Sequence, residues 1–432
     1  MRRQSRRLIV TALLAAAVMA GCGEPQPATR PAGTGGGGGS GGGGAGRAPT
    51  TRPADPPTTP PEPRTDAIDA EHLKKLQTAV NGGLTWLLNQ RNDDGGWGFV
   101  PAKSHPALTA MAARALLRHP DYTTDSPAVA AALDVLMGFR QDDGGFYDPK
   151  EGNANYVTCV AVMALAAAKD PRYNDALAGA VRFLRGEQIV PGSKSPDGRA
   201  IDKDDPFAGG VSYGKHGRPD LSNLGFWMEA MHTAGVEGDD EAMQRALAFV
   251  KRVQNRQEGT EGQSFVVRGT NDGGFIYAIR HEGGKFVGES KAGETRRGLR
   301  SYGSMTYTGF KSMLYADVAK DDPRVRAAYE WIRKHWRLDS NPNMPQARSA
   351  QGLYYYYHVF AKALQAWGQD VIADARGVEH NWRHELIDVL TARRKPRGFW
   401  VNDEDPTERW REGNPVLATC YALLALQEAL EK

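Results

Sequence analysis

Residues able to move protons or hold charge cluster in a few places along this chain. His358 directly follows Tyr354-Tyr355-Tyr356-Tyr357, and about fifty residues upstream Tyr302 and Tyr307 border another apolar run. One imidazole and several phenols converging on a pocket could pass protons and orient a polar ligand. The same side chains also serve as amphipathic core fillers whose hydroxyls find local partners. Tyr213-Gly214-Lys215-His216-Gly217-Arg218-Pro219-Asp220 runs into one predicted helix, and the stretch from Glu289 to Arg300 runs into another. Cations beside helix N-termini favour an anion such as phosphate, sulfate or carboxylate. Asp220 is a candidate catalytic carboxylate and equally a ready N-cap for the helix that starts at Leu221. The candidate catalytic residues are therefore His358, Tyr307 and Asp220. The candidate ligand-binding residues are Lys215, His216, Arg218, Arg300, Tyr302, Tyr354 and Tyr357. No metal set and no cofactor site is expected.

The elements that must position these residues recur about every 50 residues, and such a period is the mark of a repeat architecture. Each unit reads outer helix, Gly-rich turn, inner helix. The pairs are Ala79–Gln90 with Ala107–His119, Ala128–Gln141 with Tyr156–Lys169, and Ala176–Gln188 with Leu221–Ala234. Ala242–Gln257 with Tyr302–Ala316, Arg324–Trp336 with Leu353–Trp367, and Trp382–Arg394 with Val416–Leu430 complete the set. The turns carry Asp94-Gly95-Gly96-Trp97, Asp143-Gly144-Gly145-Phe146, Gly209-Gly210, Asp272-Gly273-Gly274-Phe275 and Gly398-Phe399-Trp400. Glycine accepts backbone angles closed to other residues, so the chain can reverse tightly after each outer helix. Outer helices keep a charged face (Lys251, Arg252, Arg333, Lys334), whereas Val157–Ala168 and Val416–Leu426 are apolar nearly all round, as buried helices are. Six hairpins with an apolar inner layer predict an all-α fold, an α/α toroid, because closure buries the end faces that an open stack must cap. One inner-helix register aligns Ala110, Cys159, Thr308, His358 and Cys420 as equivalent positions.

The ends speak to compartment. Arg2, Arg3, Arg6 and Arg7 precede a short apolar run, Leu8 to Ala20, and then Met19-Ala20-Gly21-Cys22. That run is too short to span a bilayer and reads as a signal-peptide core. The pattern resembles bacterial lipoproteins, which implies cleavage before Cys22 and diacylglycerol on its thiol. Residues 1–22 are thus a lipoprotein signal peptide. Residues 23–66, almost only Gly, Pro, Thr, Ala, Ser and Arg, form a disordered tether with a reach of roughly 40 Å. Residues 67–432 are the toroid. The expected site is the periplasm, with the membrane engaged through the lipid on Cys22. Without the four head arginines the chain holds 50 basic and 51 acidic residues, so its charge offers nothing to nucleic acid. Cys159 and Cys420 lie in apolar helical runs and are expected as free, buried thiols.

Trp86-x3-Gln90-x4-Gly95-Gly96-Trp97 is similar to the tryptophan-and-glutamine repeat of squalene–hopene cyclases. Thr419-Cys420-Tyr421-Ala422-Leu423-Leu424-Ala425-Leu426 resembles an inner helix of a protein prenyltransferase β subunit. The resemblance covers about residues 70 to 432 and implies the terpenoid cyclase and prenyltransferase toroid, with an isoprenoid or other lipid in the central cavity. Cyclases of this kind protonate an alkene with Asp-x-Asp-Asp on an inner helix. Here Asp202-Lys203-Asp204-Asp205 is followed by Pro206 and reads as a solvated loop. Prenyltransferases bind zinc through Asp-x-Cys and a later His. Ser301 to Tyr307 offers neither, and Tyr356 stands where the histidine would fall, so neither signature is preserved. The partner is a small hydrophobic or anionic ligand. A non-catalytic envelope glycan- or protein-binding scaffold and a carbohydrate-active toroid remain alternatives.

Overall fold

The computed structural model describes residues 68–195, 198–214, 217–257, 271–405, 407 and 409–431, which belong to one compact unit spanning Glu62–Lys432. The signal segment with Cys22, the tether, Lys215 and His216 lie outside the described residues. Among the described residues the helices are α1 (Ala70–Leu88), α2 (Pro106–Leu117), α3 (Pro127–Met137), α4 (Ala154–Ala168), α5 (Asn174–Glu187) and α6 (Leu221–Thr233). They continue as α7 (Glu241–Arg252), α8 (Gly303–Tyr315), α9 (Pro323–Lys334), α10 (Leu353–Trp367), α11 (Trp382–Arg393) and α12 (Pro415–Leu430). Odd-numbered helices are the outer members of the six hairpins and even-numbered ones the inner members. The expected boundaries hold to within a few residues, except that α1 begins nine residues earlier, where Asp69 accepts a hydrogen bond from the backbone of His72 as its N-cap.

The inner helices close a ring. α2 packs on α4, α4 on α6, α6 on α8, α8 on α10, α10 on α12, and α12 returns to α2. All residues from Val416 to Ala429 of α12 are buried, whereas α9 buries only Val325, Ala328, Trp331 and Ile332. That contrast follows from position: an inner helix has neighbours on every side, an outer one only on its inward stripe.

The turns fasten one repeat to the next. Gly144 has φ +89°, and a Cβ there would lie 2.7 Å from the carbonyl oxygen of Gly179 on the following outer helix. The last turn makes the same approach across the seam: a Cβ on Gly398 would lie 2.7 Å from the Gly82 oxygen of α1. Only glycine satisfies both the left-handed angle and the backbone contact. The turn aromatics are buried between the two helices of their hairpin. The backbone N–H of Trp97, Phe146, Phe275 and Trp400 donates to the hydroxyls of Thr109, Thr158, Thr306 and Thr419 at 2.9–3.2 Å. This threonine resets the expected register. Thr306, not Tyr307, is the counterpart of Thr109, Thr158 and Thr419, so Thr308 sits one place beyond Ala110, Cys159 and Cys420.

Short antiparallel hairpins decorate the inserts: β1 (Ala278–Glu282) with β2 (Lys285–Glu289), in the register Ala278↔Glu289 to Glu282↔Lys285, then β3 (Glu294–Thr295) with β4 (Gly298–Leu299), and β5 (Val371–Ala373) with β6 (Glu379–Asn381). The first bears on the axis, because Leu221 N–H donates to the Tyr277 carbonyl at 2.8 Å and ties the insert to the start of α6. Among the described residues no helix is long and apolar enough to cross a membrane.

Candidate functional site

Side chains of the inner helices meet around the axis in two tiers, and the pairs Phe226–Tyr355, Tyr156–Tyr421 and Glu229–Arg114 join helices that are not ring neighbours and so cross it. The tier nearer the N-termini is aromatic. Phe226 of α6 meets Tyr156 of α4 edge-on at 5.0 Å between ring centroids, and faces Tyr355 and His358 of α10 at 5.7 and 6.5 Å. Tyr421 of α12 lies 6.0 Å from Tyr355 and 5.6 Å from His358, and its hydroxyl is 3.4 Å from that of Tyr156. Burial pushes the Tyr156 phenol up to about 12. Ser222 and Thr308 hold the Tyr355 hydroxyl at 3.3 and 3.1 Å. His358 is buried and its Nδ1 has no partner. Burial first, then the cations of the tier below, push its imidazole down to about 3, so it is neutral at physiological pH.

The tier nearer the C-termini is a buried charge network. Glu229 of α6 accepts from Lys311 of α8 at 2.6 Å and from Arg114 of α2 at 3.3 Å, and lies 3.5 Å from Lys362 of α10. Lys362 also reaches Glu428 of α12 at 3.0 Å, which Arg118 holds at 2.8 Å. Burial alone would raise the Glu229 pKa; Lys311, Lys362 and Arg114 together overcome it and hold the carboxyl well below its ordinary range. Five inner helices are thus cross-linked through one ionic floor.

Above the aromatic tier, at the N-terminus of α6, stands Asp220. It is fully buried, and its two carboxylate oxygens accept from the backbone N–H and the side-chain amide of Asn223 at 2.9 and 2.8 Å. It therefore is the N-cap of α6. Burial outweighs these bonds and pushes its carboxyl above the usual range. The phenols of Tyr277, Tyr302 and Tyr355 lie in its field. The Tyr302 hydroxyl is buried without a partner. Beside them Arg218 bonds Glu289 at 2.7 Å and sits 5.2 Å from the Tyr277 ring centroid, with the Lys291 ammonium at 4.5 Å. Three cations, Arg218, Lys291 and Arg280, gather on the Glu289 carboxylate here, so cations outnumber it locally. A second buried carboxyl, Glu412, accepts from Tyr355 N–H at the start of α10 at 2.8 Å and from Asn402 at 2.7 Å, and burial pushes it up to about 7.

Of the residues singled out by sequence, His358, Asp220, Tyr302 and Arg218 are brought together at this end of the axis. Tyr307 is not: it packs against Tyr356 and Phe360 at 5.6 and 5.1 Å, between inner and outer helices. Tyr354 and Tyr357 also turn away, donating to the carbonyls of Val401 and Leu338 at 3.4 and 2.7 Å. Three consecutive helical residues cannot share one face, so of the four tyrosines only Tyr355 reaches the axis. Arg300 is half-buried and makes no ion pair among the described residues; its carbonyl accepts from Ser290 at 2.6 Å. Asp202, Lys203 and Asp204 are exposed in a loop, and Asp205 caps the third turn through Phe207 N–H at 2.8 Å. Sequence reasoning missed the floor, although single charges inside otherwise apolar helices (Arg114, Glu229, Lys311, Lys362) are a readable signal that they must pair. It also passed over Tyr156, Phe226, Tyr421 and Glu412.

The fold and this axial lining define a class: an α/α toroid of six hairpins with an aromatic tier above an ionic floor. No family model matches the chain. It is 24% identical over 208 residues to the squalene–hopene cyclase of Bradyrhizobium diazoefficiens, a stretch that is 43% of this chain and 32% of that enzyme. The chain therefore spans about a third of the length of the curated relative it matches. Among solved structures, the apo type II terpene cyclase MstE from Scytonema superposes with a TM-score of 0.51 at 14% identity, covering 82% of this chain and 99% of that one. The GH76A α-1,6-mannanase from Salegentibacter sp. HEL1_6 gives 0.54 at 11% identity, covering 82% and 98%. At such identities the likeness is one of fold.

Proposed function

We propose that this toroid takes a hydrophobic chain of isoprenoid type into the aromatic tier of its axis and rearranges it by protonation, with Asp220 as the acid. The observation that supports this reading most is a buried, protonation-prone carboxyl set beside the aromatic tier of Tyr156, Phe226, Tyr355 and Tyr421. In the proposed reaction Asp220 delivers its proton to an alkene carbon, and neighbouring double bonds of the same chain attack the resulting cation to form new C–C bonds. The π faces of Tyr156, Phe226 and Tyr421 stabilise that cation. The final cation sheds a proton to neutral His358, so the product is an isomer of the substrate. Arg218 and Lys291 hold an anionic or polar head group at the rim. Export, cleavage before Cys22 and acylation of its thiol belong to the same proposal, in which a bilayer supplies the lipid.

The test is incubation of the purified protein with squalene or geranylgeraniol, followed by mass-resolved gas chromatography. Asp220→Asn keeps the helix cap and removes the proton. Wild type is expected to yield isomers of unchanged mass and D220N none. Failure of wild type to convert or retain either lipid would falsify the reading. A second reading, carbohydrate chemistry, draws on the fold likeness to the mannanase and on the two buried carboxyls, Asp220 and Glu412, that border Tyr355. Release of reducing ends from an α-1,6-mannan by wild type but by neither D220N nor Glu412→Gln would replace the isoprenoid reading. Retention of lipid without conversion would favour a binding protein.

A further inference from the structure

The ring closes where the first helix meets the last outer helix, and that seam carries a side-chain cluster unrelated to the axis. Asp69 and His72 come from the start of α1, His384 and Asp388 from α11, more than 300 residues later. The two imidazoles stack with centroids 3.9 Å apart and planes 3° apart, and each brings a ring nitrogen beside the Asp69 carboxylate. His72 Nδ1 is 2.8 Å from Asp69 Oδ1, and His384 Nε2 is 3.9 Å from Asp69 Oδ2. One ligand atom each from Asp69, His72 and His384 lies within 4.8 Å of the others. His384 Nε2 accepts from the Asp69 backbone N–H at 3.2 Å, so it carries no proton, and binding a metal exchanges that hydrogen bond for a coordinate one. On its far side His72 Nε2 meets Asp388 Oδ2 at 3.3 Å, and Lys75 anchors the other oxygen of Asp388 at 2.9 Å. A ligating histidine whose second nitrogen is held by a carboxylate is the arrangement that fixes tautomer and raises ligand basicity in metal centres.

We propose that Asp69, His72 and His384 bind one divalent transition-metal ion of the zinc type, with Asp388 orienting His72, and that this ion fastens the closing seam of the toroid. Two imidazoles and a carboxylate suit zinc, copper or nickel and not the oxygen-seeking magnesium or calcium. Bonds of about 2.0–2.2 Å in tetrahedral geometry set ligand atoms about 3.3 Å apart. To reach that, the two stacked rings part and tilt towards the Asp69 carboxylate, which itself is 53% exposed and has room to move. The fourth position faces solvent and takes water. The gain is mechanical: the seam is the one join between repeats that has no covalent continuity, and the ion links its two sides directly.

The experiment uses tag-free full chain, stripped with a chelator, then titrated with Co2+ as an optical probe and with Zn2+ as competitor. Wild type is expected to bind one equivalent, to show the visible absorption of tetrahedral cobalt, and to gain thermal midpoint with Zn2+. His384→Gln is expected to weaken binding at least tenfold and to lose the midpoint gain. Asp69→Asn keeps an acceptor for the helix cap, so its chelated midpoint should match wild type while its metal affinity falls at least tenfold. It decides the matter if H384Q does not fold. Wild type binding no more tightly than D69N, or a midpoint indifferent to Zn2+, overturns the proposal.

Discussion

Replacing Glu229 by Gln removes one negative charge from a place where four cations gather. At an effective dielectric of about 20 the 2.6 Å contact with Lys311 alone is worth ~6 kcal/mol of attraction, before the several kcal/mol per ion needed to strip the charges of water. The net figure is smaller: breaking a buried pair from one side costs about 3–5 kcal/mol, because the partners stay behind uncompensated. Lys362 keeps Glu428 and so is partly relieved, but Arg114 and Lys311 have no other carboxylate among the described residues. Unfolding entropy of about 2 cal/mol/K per residue, over roughly 370 residues, converts this to about 4–6 °C in the midpoint. The sign with pH follows from the direction of the shift. The Glu229 pKa is lowered on folding, so its stabilisation is present above the unfolded value near 4.5 and is lost as pH falls through the folded one. The deficit of E229Q, followed by calorimetry, should therefore be full at pH 7 and shrink in strong acid. A deficit under 1 °C at pH 7, or one that grows on acidification, would refute the claim that the floor is a paired network.

Three further outcomes are expected. Glu412 has its pKa raised on folding to about 7, so its contribution is full below about pH 4.5 and falls by about 3 kcal/mol as pH rises past 7. Glu412→Gln, which cannot ionise, should therefore gain on wild type by that amount between pH 4.5 and 8 in denaturant titrations, and a flat difference would contradict the assignment. Gly209 and Gly192 share a left-handed φ (+84° and +88°), but a Cβ would run into the Arg245 carbonyl oxygen only in the first. Gly209→Ala should thus cost about 1–3 kcal/mol more than Gly192→Ala, since strain is common to both and the clash is not; equal costs would deny that the turn docks on α7. Cys22→Ala should abolish incorporation of labelled palmitate and leave an unprocessed chain, while persistent labelling would remove the lipoprotein proposal.

Much of the scaffold was legible because repetition amplifies weak signals. A single Gly-Gly turn is ambiguous, but four of them with a Gly-aromatic turn at Gly398, recurring between helical runs, leave few alternatives, and the twelve helices fall on the runs the pattern marks. The site was read less well, for physical reasons. Tyr354 to Tyr357 are chemically alike, and only helical rotation, fixed by packing, decides that Tyr355 faces the axis. The register of α8 slipped because Thr306 was not recognised as the hydroxyl that holds the turn aromatic. Glu229 pairs with Arg114 across 115 residues, and no local pattern announces such a pairing. Asp220 was legible both as cap and as candidate acid; the structure shows the cap, and the acid role is part of the proposal.

The central claim is that the aromatic tier is where a hydrophobic chain sits. A farnesyl analogue carrying a photoreactive diazirine, irradiated with the protein and mapped by peptide mass spectrometry, tests it directly. Label on Tyr156, Phe226, Tyr355 or Tyr421, competed away by squalene, is the predicted result. Label confined to the outer helices, or undiminished by competitor, would contradict the account.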